Sequence, residues 1–335
     1  MAIVHDVMPV FELFQPATVD DAIALLDKYT SDAWVLAGGL DTFDWFKDRN
    51  KRRQVVVDLS GVDALRGVKA ADGGGLEIGA ATTLTEVANH ADVKRNYRLL
   101  SQAAGLVASP QIRNQGTLGG NVSQDTRCWY YRSGWTCYRA GGNICYADTP
   151  TAINREHAIF DANRCVAVNP SDTAPALIAL DAQMVIRSSG GERVVNAEDY
   201  FIGPAVDITR MTVLRPGELL TAIRIPATWA GAEFYFEKIR ERQVWDFPLV
   251  NIAAAFKGSN GSIADSRFVI NAVAAHPVRL KAVETAVAGK ARNDETGAMA
   301  GELAVQGARP LAHNAYKIPL VRNLVKRAIR GEAQV

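Results

Sequence analysis

The chain has 335 residues, 48% hydrophobic and 22% charged, a globular composition that excludes a disordered, collagenous or coiled-coil polymer. Its 37 basic and 36 acidic residues leave a net charge of +1, so no global basic excess points to nucleic acid. No apolar run approaches the roughly 18 residues of a membrane helix, and at about 150 residues per domain the length suggests two domains.

In chain order, residues 18–28 predict a helix. Thr18 suits the N-cap, acids fill the first turn, and Ala22, Ile23 and Leu26 share a face. Residues 34–37 predict a short buried strand ending at Gly38-Gly39, residues 41–47 a helix, and residues 54–58 a second strand. A turn at Asp72-Gly73-Gly74-Gly75 leads into a strand over 76–80, and helices follow at 85–90 and 98–107. The stretch 108–122 is rich in Gly, Asn, Gln and Ser, and the segment after it shows little periodicity. Ser171-Asp172 caps an apolar helix through Leu180, and residues 184–187 and 193–196 read as strands. Strands at 234–240, 250–256 and 268–275 come next, with a hairpin turn at 258–261. Helices at about 279–288, 296–305 and 315–331 close the chain. Three strands followed by helices predict an α+β C-terminal domain beginning near residue 230.

Two glycine-rich turns carry the first chemical signal: Ala37-Gly38-Gly39-Leu40-Asp41-Thr42, and Asn114-Gln115-Gly116-Thr117-Leu118-Gly119-Gly120-Asn121. Glycine lets backbone N–H groups approach an anion closely, and a strand-to-helix turn aims a helix N-terminus at it. Two such turns suit the two ends of a pyrophosphate, with Thr and Asn as donors. Neither is GxGxxG or a lysine-bearing P-loop, and an ordinary turn is the alternative reading of each.

The four cysteines all fall in one window, spaced Cys128-x8-Cys137-x7-Cys145-x19-Cys165. A large chain does not need disulfides there, and four clustered thiols point to metal. The spacing is neither that of a zinc ribbon nor that of the short ferredoxin run. It leaves a tetrathiolate iron–sulfur site, zinc, and free thiols or disulfides all open. Trp129, Tyr130, Tyr131, Trp135, Tyr138 and Tyr146 crowd the window, as packing around a cluster or as a satellite apolar patch. The five histidines (5, 90, 157, 276 and 313) fall in no catalytic pattern and read as structural or surface residues. The basic residues of the last helix, Lys317, Arg322, Lys326, Arg327 and Arg330, read as a solvated face.

These motifs, in this order, resemble the FAD-binding subunit of the molybdenum hydroxylases, the xanthine dehydrogenase and aldehyde oxidoreductase family. The family's second glycine loop is matched by Arg113 to Asn121, its Ser-Asp helix start by Asn169 to Leu177, its Pro-Gly-Glu-Leu-Leu turn by Pro216 to Pro226, and its Lys- and Arg-bearing strand by Phe236 to Arg240. Leu40 stands where the family usually has Thr, and Asn169 where His is often found. The resemblance implies an α+β fold: a vanillyl-alcohol-oxidase-type FAD domain over residues 1–229, in subdomains of about 1–60 and 61–229, then a C-terminal domain over 230–335. It implies FAD contacts at Leu36, Ala37, Gly38, Gly39, Leu40, Asp41, Thr42, Thr83, Gly116, Thr117, Gly119, Gly120, Asn121, Asp172, Leu220 and Lys238. Lys238 would sit near the flavin N1–C2=O edge, though by itself it reads as a snorkelling surface lysine. Asp172 would meet the ring edge, though it also suits a helix first turn.

A subset of the family inserts a cysteine-bearing loop after the second glycine loop and binds a [4Fe–4S] cluster. Arg127-Cys128 and the run from Cys165 to Asp172 fit that subset, which implies Cys128, Cys137, Cys145 and Cys165 as ligands on a loop of about 123–168. The function so implied is electron transfer. A large molybdopterin subunit would do the hydroxylation, two [2Fe–2S] clusters on a small subunit would relay the electrons, and FAD here would pass them to oxygen, NAD, a quinone or a ferredoxin. No acid–base catalytic residue is expected. A stand-alone FAD oxidase, a 4-hydroxybenzoyl-CoA reductase-type subunit and a flavin-free scaffold are the rival readings. Aldehydes come first among substrates, with purines and N-heterocycles open. Residues 1–6 carry no basic or apolar signal region. The cytoplasm is therefore the default location, and the periplasm is open if a partner carries a twin-arginine signal.

Overall fold

The computed structural model describes residues 8–259 and 261–331; residues 1–6, His5 among them, and residue 260 of the 258–261 turn lie outside them. A three-stranded parallel sheet comes first, in the order Glu12–Phe14, Val55–Asp58, Ala33–Leu36. Val55, Val56 and Val57 are all buried, as a central parallel strand covered on both faces requires. Alternation sends Val55 and Val57 against helix Val19–Tyr29 and its surroundings, and Val56 toward Trp45, Phe46, Tyr131 and Cys137. The helix starts as expected, with the Thr18 hydroxyl accepting from Asp21 N at 3.1 Å.

The second layer is a five-stranded antiparallel sheet, ordered Val68–Ala70, Leu76–Gly79, Leu219–Ile225, Gln183–Ser188, Gly191–Asn196. Its main apolar core joins helices Leu84–Asn89, Arg98–Gly105 and Thr173–Ala179. The stretch read only as Gly- and Asn-rich holds two six-residue helices, Pro110–Gln115 and Leu118–Ser123. Ser109 caps the first, with Pro110 at its first position. Thr117 caps the second by accepting from Gly120 N at 3.0 Å.

The C-terminal sheet has four antiparallel strands rather than three: Val278–Arg279, Asp265–Asn271, Val250–Lys257, Glu233–Ile239. The extra edge strand is two residues long, too short to leave a pattern. Both faces of this sheet are buried. Phe236, Ala253, Ala255 and Val269 join the core of the second layer, while Ile252, Ala254, Phe256 and Phe268 pack on helices Lys281–Val287, Asp294–Ala304 and Lys317–Arg330.

The basic face expected on the last helix is largely paired. Arg322 meets Glu302, Arg330 meets Asp294 and Arg327 meets Glu237. Lys317 is fully buried and donates to the carbonyls of Glu156 (2.9 Å) and Ala272 (2.7 Å), fastening the cysteine segment to the C-terminal domain. Burial drags its ammonium down from 10.5 to about 7. Between those values the unfolded chain binds more protons than the folded one, so stability rises with pH across the window. Urea midpoints of the wild type should therefore climb from pH 7 to 10, and Lys317→Met should flatten that climb; an equal climb in both would contradict the assignment.

Candidate functional site

The two glycine turns meet. Gln115 Nε2 donates to Gly38 O at 2.8 Å, and a Cβ on Gly38 would collide with the Gln115 carbonyl, so only glycine fits. Gly119 is equally close to the strand beneath it, its N–H bonding Ala80 O at 2.8 Å. Between the subdomains these loops floor a cleft of about 740 Å³, the size of site that holds a cofactor-sized ligand. Ala37, Gly38, Gly39, Leu40, Asp41, Thr42, Gly116, Thr117, Gly119, Gly120, Asn121, Asp172 and Leu220 all line it.

Three expected contacts lie off its wall. Leu36 packs into the apolar cluster of Trp45 and Val56. The Thr83 hydroxyl is held by Glu86 in a capping box. Lys238 stands behind Asp172, with side chains 1% and 3% exposed and Nζ 2.6 Å from Oδ2, so it is not a snorkelling surface residue. Asp172 also accepts from Asn251 Nδ2 at 3.1 Å. Burial pushes its carboxyl up, and the Lys238 ammonium pulls against that. Asn121 spends its carbonyl internally, accepting from Ser171 and Thr173 at 2.6 Å each. Asp41 is likewise engaged, by Arg132 (2.9 Å), by Arg127 and by the Trp45 indole (2.9 Å).

Those arginines belong to the cysteine segment, whose four thiols border one small cavity with Tyr130, Tyr131, Arg139 and Tyr146. All four cysteines are free. Burial, with other thiols nearby, pushes Cys128 up to about 12, and burial raises Cys165; any metal taken up must displace protons from them. Among the described residues no three or more His, Cys, Asp or Glu side chains are arranged to hold a metal ion. Trp129 and Trp135 face outward, half-exposed, while Trp135 meets Tyr130 and Tyr146 edge-on. His157 is 3% exposed with Nε2 3.2 Å from Cys128 Sγ. Its position 29 residues from that cysteine gave the sequence reading no reason to pair them. Arg139, two residues after Cys137, lines both the cleft and the cysteine cavity.

Comparison with known proteins agrees with this geometry. Residues 9–228 match the family described as the FAD binding domain in molybdopterin dehydrogenase, and residues 234–331 match the CO dehydrogenase flavoprotein C-terminal domain. The chain is 33% identical to the aldehyde oxidoreductase FAD-binding subunit PaoB of Escherichia coli K12 over 304 residues, covering 89% of this chain and 91% of that one. It is 28% identical to the carbon monoxide dehydrogenase medium chain of Hydrogenophaga pseudoflava over 328 residues, 96% and 97% of the two. Among solved structures, carbon monoxide dehydrogenase from that organism, lacking the Mo-pyranopterin moiety of its cofactor, superposes with a TM-score of 0.76 over 96% of this chain and 97% of that chain, at 28% identity. Fold and cleft together define an FAD-binding protein of mixed α and β structure. The chain belongs to the FAD-binding subunits of the molybdopterin dehydrogenases.

Two substitutions test the site. Gly38→Ala should lower the FAD content of the purified chain several-fold with its circular dichroism kept, whereas Gly105→Ala, whose new Cβ would meet Ala88 at an ordinary 3.9 Å, should retain FAD. Asp172→Ala strands Lys238 in the interior and should cost about 3–5 kcal/mol in urea unfolding; the paired replacement Asp172→Leu with Lys238→Met should recover much of that.

Proposed function

We propose that the chain is the electron-transfer subunit of a molybdopterin-dependent hydroxylase or aldehyde oxidoreductase. It takes electrons from [2Fe–2S] clusters of a small partner subunit and delivers them to an external acceptor, while a large subunit performs the hydroxylation. The observation that carries this reading is the cleft in which two glycine loops from separate sheets meet. Backbone N–H groups of Gly38 to Thr42 supply a cradle for a pyrophosphate, while those of Gly116, Leu118, Gly119, Gly120 and Asn121 are bonded within the protein and shape the second loop; bound FAD supplies the one- and two-electron chemistry. The relatives' names, an aldehyde oxidoreductase subunit and a carbon monoxide dehydrogenase medium chain, support the class and the subunit role.

The second part of the proposal is a [4Fe–4S] cluster on Cys128, Cys137, Cys145 and Cys165. Its support is that all four cysteines border one cavity, a set of four soft thiol donors of the kind that holds iron–sulfur clusters. Tyr130, Tyr131 and Tyr146 around that cavity exclude water, which bears on cluster potential. Protein purified without oxygen should contain about four irons and four sulfides per chain and release one FAD on denaturation. Cys165→Ser should lose iron and keep FAD. Zinc in place of iron would overturn the cluster assignment, and absence of FAD would overturn the flavoprotein reading.

A further inference from the structure

Arg139 stands in the wall that the two sites share. It lies on the short turn Tyr138–Ala140 directly after Cys137 and borders the flavin cleft on one side and the cysteine cavity on the other. It is 6% exposed, so water screens its charge little. Two of its nitrogens have partners: Nη2 donates to Asp125 Oδ1 at 2.5 Å and Nη1 to the Ile208 carbonyl at 2.7 Å. The Nε–H is buried with no acceptor among the described residues.

Neutralising Asp125 does not account for this residue. Lys51 already pairs with Asp125 at 3.0 Å, so two cations share one anion and the group carries one surplus positive charge. A buried surplus cation with a spare donor is costly unless an anionic group faces it. Four thiolates holding an iron–sulfur cluster make such a group, and it becomes more negative on reduction. A fixed positive charge beside it stabilises the reduced form, and a hydrogen bond to a cluster sulfur acts in the same direction. Arginine suits this role because it does not deprotonate.

We propose that Arg139 is a positioning residue common to both redox sites, whose charge and free Nε–H raise the reduction potential of the cluster. The proposal rests on the cluster and flavin assignments made above.

The test is a redox titration of the purified complex, followed by the electron paramagnetic resonance of the reduced cluster. Arg139→Gln should keep wild-type iron, sulfide and FAD and shift the cluster midpoint to lower potential. Asp125→Asn, which removes the anion and leaves Arg139, should shift it to higher potential. A cluster of unchanged potential in either variant would overturn the role given to Arg139, and loss of iron in both would reduce it to a structural counter-ion. Wild-type protein lacking iron and sulfide would instead overturn the cluster assignment itself, so the two failures are told apart before any variant is made.

Discussion

The architecture depends on one backbone contact, the approach of Gly38 to Gln115 with no side chain between them. The first loop hangs from the parallel sheet and the second from helices laid on the antiparallel sheet. The cleft floor therefore exists only when the two sheets are docked. Apolar burial supplies the docking force: Val55, Val57, Leu59 and Leu65 share a core with Ala81 and Leu219 of the second layer. Such burial is non-directional. The Gln115 amide to Gly38 carbonyl bond, and the Gly116 carbonyl receiving Leu84 N at 2.8 Å, set the loops' relative position within that packing.

The cysteine segment is built into the same frame. Asp41, in the first glycine loop, gathers Arg127 and Arg132 from it, and Arg132 also lies 4.1 Å above the Trp45 ring. Asp125 gathers Arg139 from the segment and Lys51 from the parallel-sheet subdomain. Buried or half-buried ion pairs of this kind contribute little net stability, because desolvation offsets attraction. Their effect is on placement. Arg127 precedes Cys128 directly, so the pairing that sets the Asp41 loop also sets where the first thiol stands. The cleft wall and the cavity wall are one structure.

What could be read in advance follows from periodicity and local chemistry. The helix at Val19–Tyr29 declared itself through Thr18, its first-turn acids and its apolar face, and the buried strands through their Val- and Ala-rich runs. Helices Pro110–Gln115 and Leu118–Ser123 did not, because six residues give less than two turns of pattern and the glycines argue against helix. Ser109-Pro110 and Thr117 were the available signals. Thirteen of the expected cleft residues line it because the loops that carry them are contiguous in sequence. Thr83, Leu36 and Lys238 fail to reach it for physical reasons. Each satisfies its side chain internally: one in a cap, one in a core, one in a buried ion pair. His157 was beyond sequence reasoning, since only the folded segment brings it to Cys128, and only the fold shows that Arg139, two residues from Cys137, also borders the cleft.

The Asp172–Lys238 pair shows why the C-terminal domain is needed at all. Asn121, in the second glycine loop, accepts from Ser171 and Thr173 at the start of the Ser-Asp helix. Asp172 in turn holds Lys238 and Asn251, paired neighbours on the C-terminal sheet, and Asn271 on the next strand donates to the Ser171 carbonyl at 2.7 Å. This is a continuous buried polar path from the cleft floor to the C-terminal sheet. An apolar junction of the same area would bind the domains as firmly and would tolerate sliding. Directional bonds among buried groups do not, because any shift leaves a charge or an amide unpaired. The C-terminal sheet thus acts on the cofactor cleft without lining most of it, by fixing the register of the helix that presents Asp172 and of the loop that ends at Asn121.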